Sequence, residues 1–341
     1  MLFRCQPGFE SSLVAELGSA GFASLEQGSG WVRTGGTPTT EGTTDSRLGE
    51  LCFPHAILLT PVEVTGDSVN GLAEKVAQVF LDSARQERFE APWPFLVDTA
   101  GNTEGLGRRA DGVARAALEL LKKRMGRVAK LASDQRPAGP GERRGLFVYF
   151  ADFQRAFVSR SCVFGGQRRM ADDPQAPSRS YLKIEEAYGI LGREPSPDER
   201  VVDLGAAPGG WSYSAAKRGA HVVAVDNGPL KAGAANNPNI EHRRADAFSF
   251  FPPAGEAYDW MFCDLLEEPH HVMRNLLEPW LERAACRRFV VILKFGRANP
   301  VALLEELRSP KAVLGRCARN VRIRHLFHNR EEFTITGEVV P

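Results

Sequence analysis

From about residue 180 onward, short unbroken apolar runs alternate with stretches of helical spacing. Val201–Leu204, His221–Val225, Trp260–Cys263 and Phe289–Leu293 read as strands. Runs that are apolar on both faces suit a parallel sheet covered by helices on each side. Residues 180–341 are therefore expected to form a doubly wound α/β domain. The first half reads differently. Met1–Glu10 predicts a short strand and a Pro7-Gly8 turn, followed by a helix from Glu10 to about Gly18. Gly35–Thr44 is Gly/Thr-rich and predicts a flexible loop. Ala56–Val64 predicts a strand that Pro61 confines to an edge or a bulge. Helices are expected over Leu72–Glu87 and Val113–Leu131, and strands over Phe95–Asp98 and Gly145–Phe150. That mixture suits an α+β module. Gln167–Arg179 is polar, lacks periodicity and reads as a linker.

The sharpest motif is Asp203-Leu204-Gly205-Ala206-Ala207-Pro208-Gly209-Gly210-Trp211. It follows a strand and opens a helical stretch, Ser212–Arg218. Glycines at such a turn let a ligand lie against bare backbone. The spacing is not the G-x-G-x-x-G of dinucleotide sites. An acidic start and a Pro-Gly-Gly end fit a class I S-adenosylmethionine site, because a sulfonium with an α-amino group needs carboxylate and carbonyl contacts. An ordinary strand–turn–helix corner is the plainer alternative. Asp226 closes the next strand, where an acidic residue typically binds ribose hydroxyls; a helix N-cap is its alternative. Asp246 falls where the adenine would lie, or is a plain turn aspartate. Trp211 either stacks in a substrate cleft or packs in the core.

The fourth strand ends in Cys263-Asp264-Leu265-Leu266. It lacks the Asn/Asp-Pro-Pro-aromatic run of amino methyltransferases, and Cys263 lacks the preceding proline that a cysteine-dependent mechanism needs. Cys263 is expected in the core. Lys294 ends the fifth apolar strand, where a lysine is costly unless it is paired or functional. Lys183 precedes the first strand, and Glu332 begins the last one.

Lys183, Asp264, Lys294 and Glu332 resemble the Lys-Asp-Lys-Glu tetrad of ribose 2′-O-methyltransferases of the FtsJ/RrmJ type. More closely, the chain resembles a bacterial family that methylates 23S ribosomal RNA. The shared stretches are Cys5–Glu10, Ala176–Ser180, Val202–Ala206, Pro208–Trp211, Val225–Pro229 and Arg330–Glu332. The resemblance implies a ferredoxin-like region over 1–60, a THUMP-like RNA-binding domain over 61–166 and, after the linker 167–179, a Rossmann-like class I methyltransferase domain over 180–341. It implies S-adenosylmethionine as cofactor, with S-adenosylhomocysteine as product, bound by Ser180, Ala207, Pro208, Gly209, Gly210, Asp226, Asp246 and Asp264. It further implies a cytidine in the peptidyl-transferase region as target and Lys294 as the base. Flanking carboxylates favour a charged Lys294, whereas burial and Lys183 oppose it. A charged Lys294 would instead orient the hydroxyl and stabilise developing negative charge. Another RNA substrate (tRNA or a cap) and a non-catalytic RNA-binding assembly factor are the alternatives.

Charge changes the picture of partners. The net charge is +1, yet residues 108–169 carry 15 Lys/Arg against 5 Asp/Glu, and residues 1–107 carry 6 against 14. The basic stretch predicts phosphate contacts from Arg108-Arg109, Lys122-Lys123-Arg124, Arg143-Arg144 and Arg168-Arg169. The expected partner is 23S ribosomal RNA or a pre-ribosomal particle, met by a monomer. Six cysteines without a C-x-x-C pair, and no signal peptide, predict free thiols and a cytoplasmic location. No apolar run approaches the roughly 18 residues of a membrane span. His270-His271 lacks nearby partner ligands, so no metal is expected.

Overall fold

The computed structural model describes residues 1–36, 39–40, 43–101 and 103–340. The chain divides into two units, Met1–Gly166 and Gln167–Pro341.

In the first unit, β1 (Leu2–Arg4) leads through the Pro7-Gly8 turn into α1 (Glu10–Ser19). There follow β2 (Ser24–Gly28), β3 (Trp31–Thr34), the two-residue strands β4 (Thr39–Thr40) and β5 (Thr43–Thr44), β6 (Ala56–Leu59) and β7 (Val62–Thr65). The expected Gly/Thr loop is in part a short ladder, since β4 pairs with β5, and its residues 37, 38, 41 and 42 lie outside the described ones. The expected strand over 56–64 breaks at Thr60, whose φ of 42° turns the chain just ahead of Pro61. Next come α2 (Val69–Ala84), capped by the Ser68 hydroxyl, and β8 (Trp93–Thr99). The single long helix expected over 113–131 is two, α3 (Leu106–Arg124) and α4 (Gly126–Ala129), broken at Met125. The short β9 (Ala132–Ser133), then β10 (Gly141–Phe150) and β11 (Arg155–Phe164), complete the unit. Nine strands form one sheet in the order β2-β3-β1-β6-β11-β10-β8-β9, with β7 on β11. It runs continuously across residue 60. The apolar stripes of α2 and α3 (Leu72, Val76, Phe80; Val113, Ala117, Leu121) pack with Phe95, Val148 and Phe150.

Folding also rearranges the charge blocks. Arg155 bonds Glu26 and Glu63, Arg160 bonds Glu87, Arg144 pairs with Glu87, and Arg4 and Arg136 both pair with Asp98. Residues 1–166 hold 19 basic and 19 acidic side chains, so the basic stretch is largely matched within its own unit. Of the expected phosphate contacts, Arg109 donates to the Asp67 carbonyl and Arg124 to Gln78. Lys123, Arg127 and Lys130 are exposed along α3 and α4.

The second unit opens with irregular chain, then α5 (Tyr181–Leu191), β12 (Arg200–Leu204), α6 (Gly210–Ala216), β13 (His221–Val225), β14 (Ile240–Arg243) and β15 (Tyr258–Cys263). A helical segment follows, α7 (Pro269–Val272) and α8 (Glu278–Glu282) joined by a π turn, Met273–Leu277. Then come β16 (Cys286–Lys294), α9 (Pro300–Arg308), α10 (Val313–Cys317), β17 (Ala318–Arg324) and β18 (Glu332–Val339). The seven-stranded sheet has the order β14-β13-β12-β15-β16-β18-β17. The first five of these strands are parallel, and β18 is antiparallel to β16 and β17. The winding direction reverses between β12 and β15. The crevice beyond the carboxyl ends of those strands is where ligands bind in such folds. Val201, Trp211, Trp260, Phe262, Val290 and Ile292 belong to the core around them.

In the first unit, buried Glu16 on α1 accepts hydrogen bonds from the backbone N–H groups of Cys52 (2.7 Å) and Phe53 (3.0 Å). Glu16→Ala removes both acceptors at once. It should cost about 3 kcal/mol, read as a lower urea midpoint; an unchanged midpoint would refute this role.

Candidate active site

Four charged side chains meet at the carboxyl edge of the second sheet. Lys294 is the last residue of β16 and Glu332 the first of β18, and the antiparallel register sets them opposite each other. Asp264 immediately follows β15, and Lys183 sits on α5, which packs against β18. Lys294 Nζ lies 2.6 Å from Asp264 Oδ1 and 3.9 Å from Glu332 Oε2. Lys183 Nζ lies 2.6 Å from Glu332 Oε1 and 3.4 Å from Asp264 Oδ2. The Ser180 hydroxyl donates to Asp264 Oδ2 at 2.7 Å. Burial alone would raise the Asp264 pKa, but the charges of Lys183 and Lys294 and the bonds from Lys294 and Ser180 hold it below the usual carboxylate value. Asp264 is thus an ionised acceptor fixed from three sides.

Beside this quartet is a cavity of 290 Å³, walled by Gly205–Pro208 and Gly210 and by Ser178, Ser180, Lys183, Trp211 and Lys294. The loop depends on glycine twice. Gly205 has a φ of 81°, and a Cβ there would overlap Leu265. Gly209 has a φ of 105°, and its Cβ would come within 2.5 Å of Ala234. A bare-backbone wall, an ionised carboxylate, and a buried Ser178 oxygen with no hydrogen-bond partner suit S-adenosylmethionine, whose methionyl end carries both an ammonium and a carboxylate.

The structure brings Ser180, Ala207, Pro208, Gly210, Asp264, Lys183 and Lys294 to this cavity, with Gly209 turning the loop behind them. Glu332 is one step back, on Lys183. Asp226 directly follows β13 and is not part of the cavity wall. Its carboxylate accepts from the N–H groups of Ala207 (2.9 Å) and Gly228 (2.7 Å), fastening the loop. Asp246 is exposed past β14 and accepts from the Phe248 N–H at 3.1 Å, a turn contact. Trp211 is buried, stands edge-on to Phe262 and donates to the Ser180 carbonyl at 3.0 Å, so it packs in the core. Cys263 is fully buried, and burial pushes its thiol up to about 12. Asp203 is buried as well and accepts from the Ser212 hydroxyl at 2.6 Å; burial pushes it up to about 7. Among the described residues, no cluster of His, Cys, Asp and Glu could hold a metal ion, and no helix is long and apolar enough to cross a membrane.

Two supporting residues escape the sequence. Glu186, fully buried on α5, accepts N–H groups from Arg168 (3.0 Å), Phe327 (3.0 Å) and His328 (3.4 Å), anchoring the loop that delivers Glu332. Asn329 donates to Glu332 Oε1 at 3.2 Å and accepts from the Leu326 N–H at 2.7 Å. The available signal was a glutamate on the core-facing side of a helix.

The sheet order, the glycine loop at its switch point and the charged quartet define a Rossmann-like methyltransferase, with S-adenosylmethionine as methyl donor. Residues 176–285 match the family model for FtsJ-like methyltransferases. The chain belongs to the family of Ribosomal RNA large subunit methyltransferase M. The relative from Chromohalobacter salexigens is 33% identical, covering 98% of this chain and 96% of the relative. That from Xanthomonas oryzae pv. oryzae is 30% identical over 98% of each.

Burial pushes the Glu186 carboxyl up to about 8 from an ordinary 4.5. Between those values the folded chain holds a proton that the unfolded chain has released, so stability falls as pH rises. Glu186→Gln mimics the neutral carboxyl and cannot titrate. Its urea midpoint should fall less between pH ~4.5 and ~8 than that of the parent; equal slopes would show that Glu186 does not titrate there.

Proposed function

We propose that the chain transfers a methyl group to the ribose 2′-hydroxyl of a cytidine in the peptidyl-transferase region of 23S ribosomal RNA. The Lys294–Asp264 pair on the cavity wall carries this reading, with Lys183 and Glu332 behind it. The names of the relatives, which specify large subunit ribosomal RNA, support it.

When bound, S-adenosylmethionine supplies a sulfonium methyl group to an oxygen held about 3 Å away and in line with the sulfur. The chain's part is to hold that oxygen and take its proton. In the ligand-free chain Lys294 is the ammonium paired with Asp264. To act as base it first releases one proton to solvent, which the positive charges of Lys183 and of the bound donor favour. The amine then has two N–H hydrogens and one lone pair. At Lys294, Asp264 Oδ1 (2.6 Å) and the Leu265 carbonyl (3.0 Å) accept both hydrogens. The lone pair is left for the 2′-hydroxyl proton. As the new O–C bond forms, the proton moves to Lys294 Nζ, and ionised Asp264 stabilises the resulting ammonium. Lys183 bonds both carboxylates and keeps them in place. The serine, the loop and Asp226 form the donor's seat.

The RNA itself would lie along exposed cations such as Lys123, Arg127 and Lys130, whose phosphate contacts position without reading sequence.

Lys294→Ala should abolish methyl transfer while leaving donor affinity within a few-fold, measured by methyl incorporation and by direct binding. Retained activity would remove Lys294 from the mechanism. Ribosomal RNA from cells lacking the protein should lose one 2′-O-methyl cytidine in 23S; loss from a transfer RNA instead would redirect the substrate.

Reversing the charge of Lys123, Arg127 and Lys130 together should weaken binding to a 23S fragment and flatten its dependence on salt, since fewer counterions are released. Unchanged affinity and salt slope would place the RNA elsewhere.

A further inference from the structure

Two serines of the stretch Ala176–Ser180 reach the cavity, and they are not equivalent. The Ser180 hydroxyl gives its hydrogen to Asp264. The Ser178 oxygen is buried in the cavity wall and has no hydrogen-bond partner. A buried hydroxyl in that condition is unfavourable unless something answers it. The side chain is held by its own backbone: the Ser178 carbonyl accepts the Tyr181 N–H at 3.2 Å, in the turn that starts α5. Gly210 lies close against it: a Cβ there would come within 3.0 Å of Ser178 Oγ and 3.3 Å of the Tyr181 nitrogen, so the side chain depends on a glycine at that place.

We propose that Ser178 is a donor-binding residue whose hydroxyl hydrogen-bonds the α-carboxylate of the methionyl end of S-adenosylmethionine. This rests on the methyl-donor reading of the cavity. The assignment to that end follows from its surroundings. Lys183, Lys294 and Asp264 share the wall with Ser178 and mark where methyl transfer takes place. Asp226, the ribose-binding candidate, is not among the residues of the wall; its carboxylate accepts the Ala207 N–H. A hydroxyl among charged groups has one hydrogen to donate, and of the donor's functional groups a carboxylate uses it best.

The test is equilibrium binding to the full chain, read by calorimetry, of two ligands that differ only at this end. S-adenosylhomocysteine keeps the amino-acid group, and 5′-methylthioadenosine lacks it. Ser178→Ala should weaken S-adenosylhomocysteine about tenfold and leave methylthioadenosine within about twofold. Ser178→Thr, which keeps the hydroxyl, should stay close to the parent. The thermal midpoint of the ligand-free Ser178→Ala variant should not fall, since the hydroxyl it loses has no partner there. Unchanged affinity for S-adenosylhomocysteine would overturn the proposal, as would equal weakening of both ligands, which would make Ser178 a support of the loop. Failure of the parent chain itself to bind S-adenosylhomocysteine would instead overturn the donor reading beneath it.

Discussion

Two ammonium groups and two carboxylates sit together at the edge of the second sheet, and each is tolerable there only because of the others. Taking a charge out of water costs several kcal/mol, which is recovered when the partners are close and the remaining lone pairs are bonded. Asp264 meets that condition with Ser180, Lys294 and Lys183 around it. Glu332 meets it through Lys183, Asn329 and the Arg330 N–H. The fold is arranged around this constraint. The winding reversal between β12 and β15 opens the crevice, and the antiparallel β18 brings a carboxylate to the same edge as the ends of the parallel strands. Buried Glu186, tying α5 to the turn before β18, fixes the distance between the two halves of the quartet.

The central strands were legible because they are buried on both faces and so read as plain apolar runs. His221–Val225 is observed with the boundaries expected of it. What failed to show was of three kinds. Edge strands such as β2 (Ser24-Leu25-Glu26-Gln27-Gly28) are too polar to stand out. Helix α5 packs on both α6 and β18, so it carries no single apolar stripe. The break at Met125 lies inside a continuous helical spacing and leaves no mark on it.

The candidate site divides the same way. The glycine loop and the four charged residues have recognisable types at recognisable places. Glu186 and Asn329 bond backbone groups far away in sequence, which no local pattern reports. Asp226 and Asp203 look like ligand contacts in the sequence but also hold the scaffold, through Ala207 and Ser212. Charge misled in a different way. Blocks separated along the chain fold against each other, and the arginines at 136, 144, 155 and 160 are bound to acids from the opening segment. A linear charge map therefore overstated the basic surface.

The position of β18 between β16 and β17 sets an order of events. The segment matched by the FtsJ-like family model stops at residue 285, before Lys294 and Glu332. The glycine loop, Ser178, Ser180 and Asp264 precede that point, whereas Lys294, which also lines the cavity, follows it. Strand β17 has β18 as its neighbour in the sheet, so it has no place until β18 is laid down beside β16. On a translating ribosome the glycine loop emerges early, but α5, which brings Lys183 to the cavity, is held through Glu186 to Phe327 and His328 and so waits for the end of the chain. The Lys294–Glu332 pair closes only once the segment beginning at Glu332 has emerged, so the charged quartet at the sheet edge is completed last.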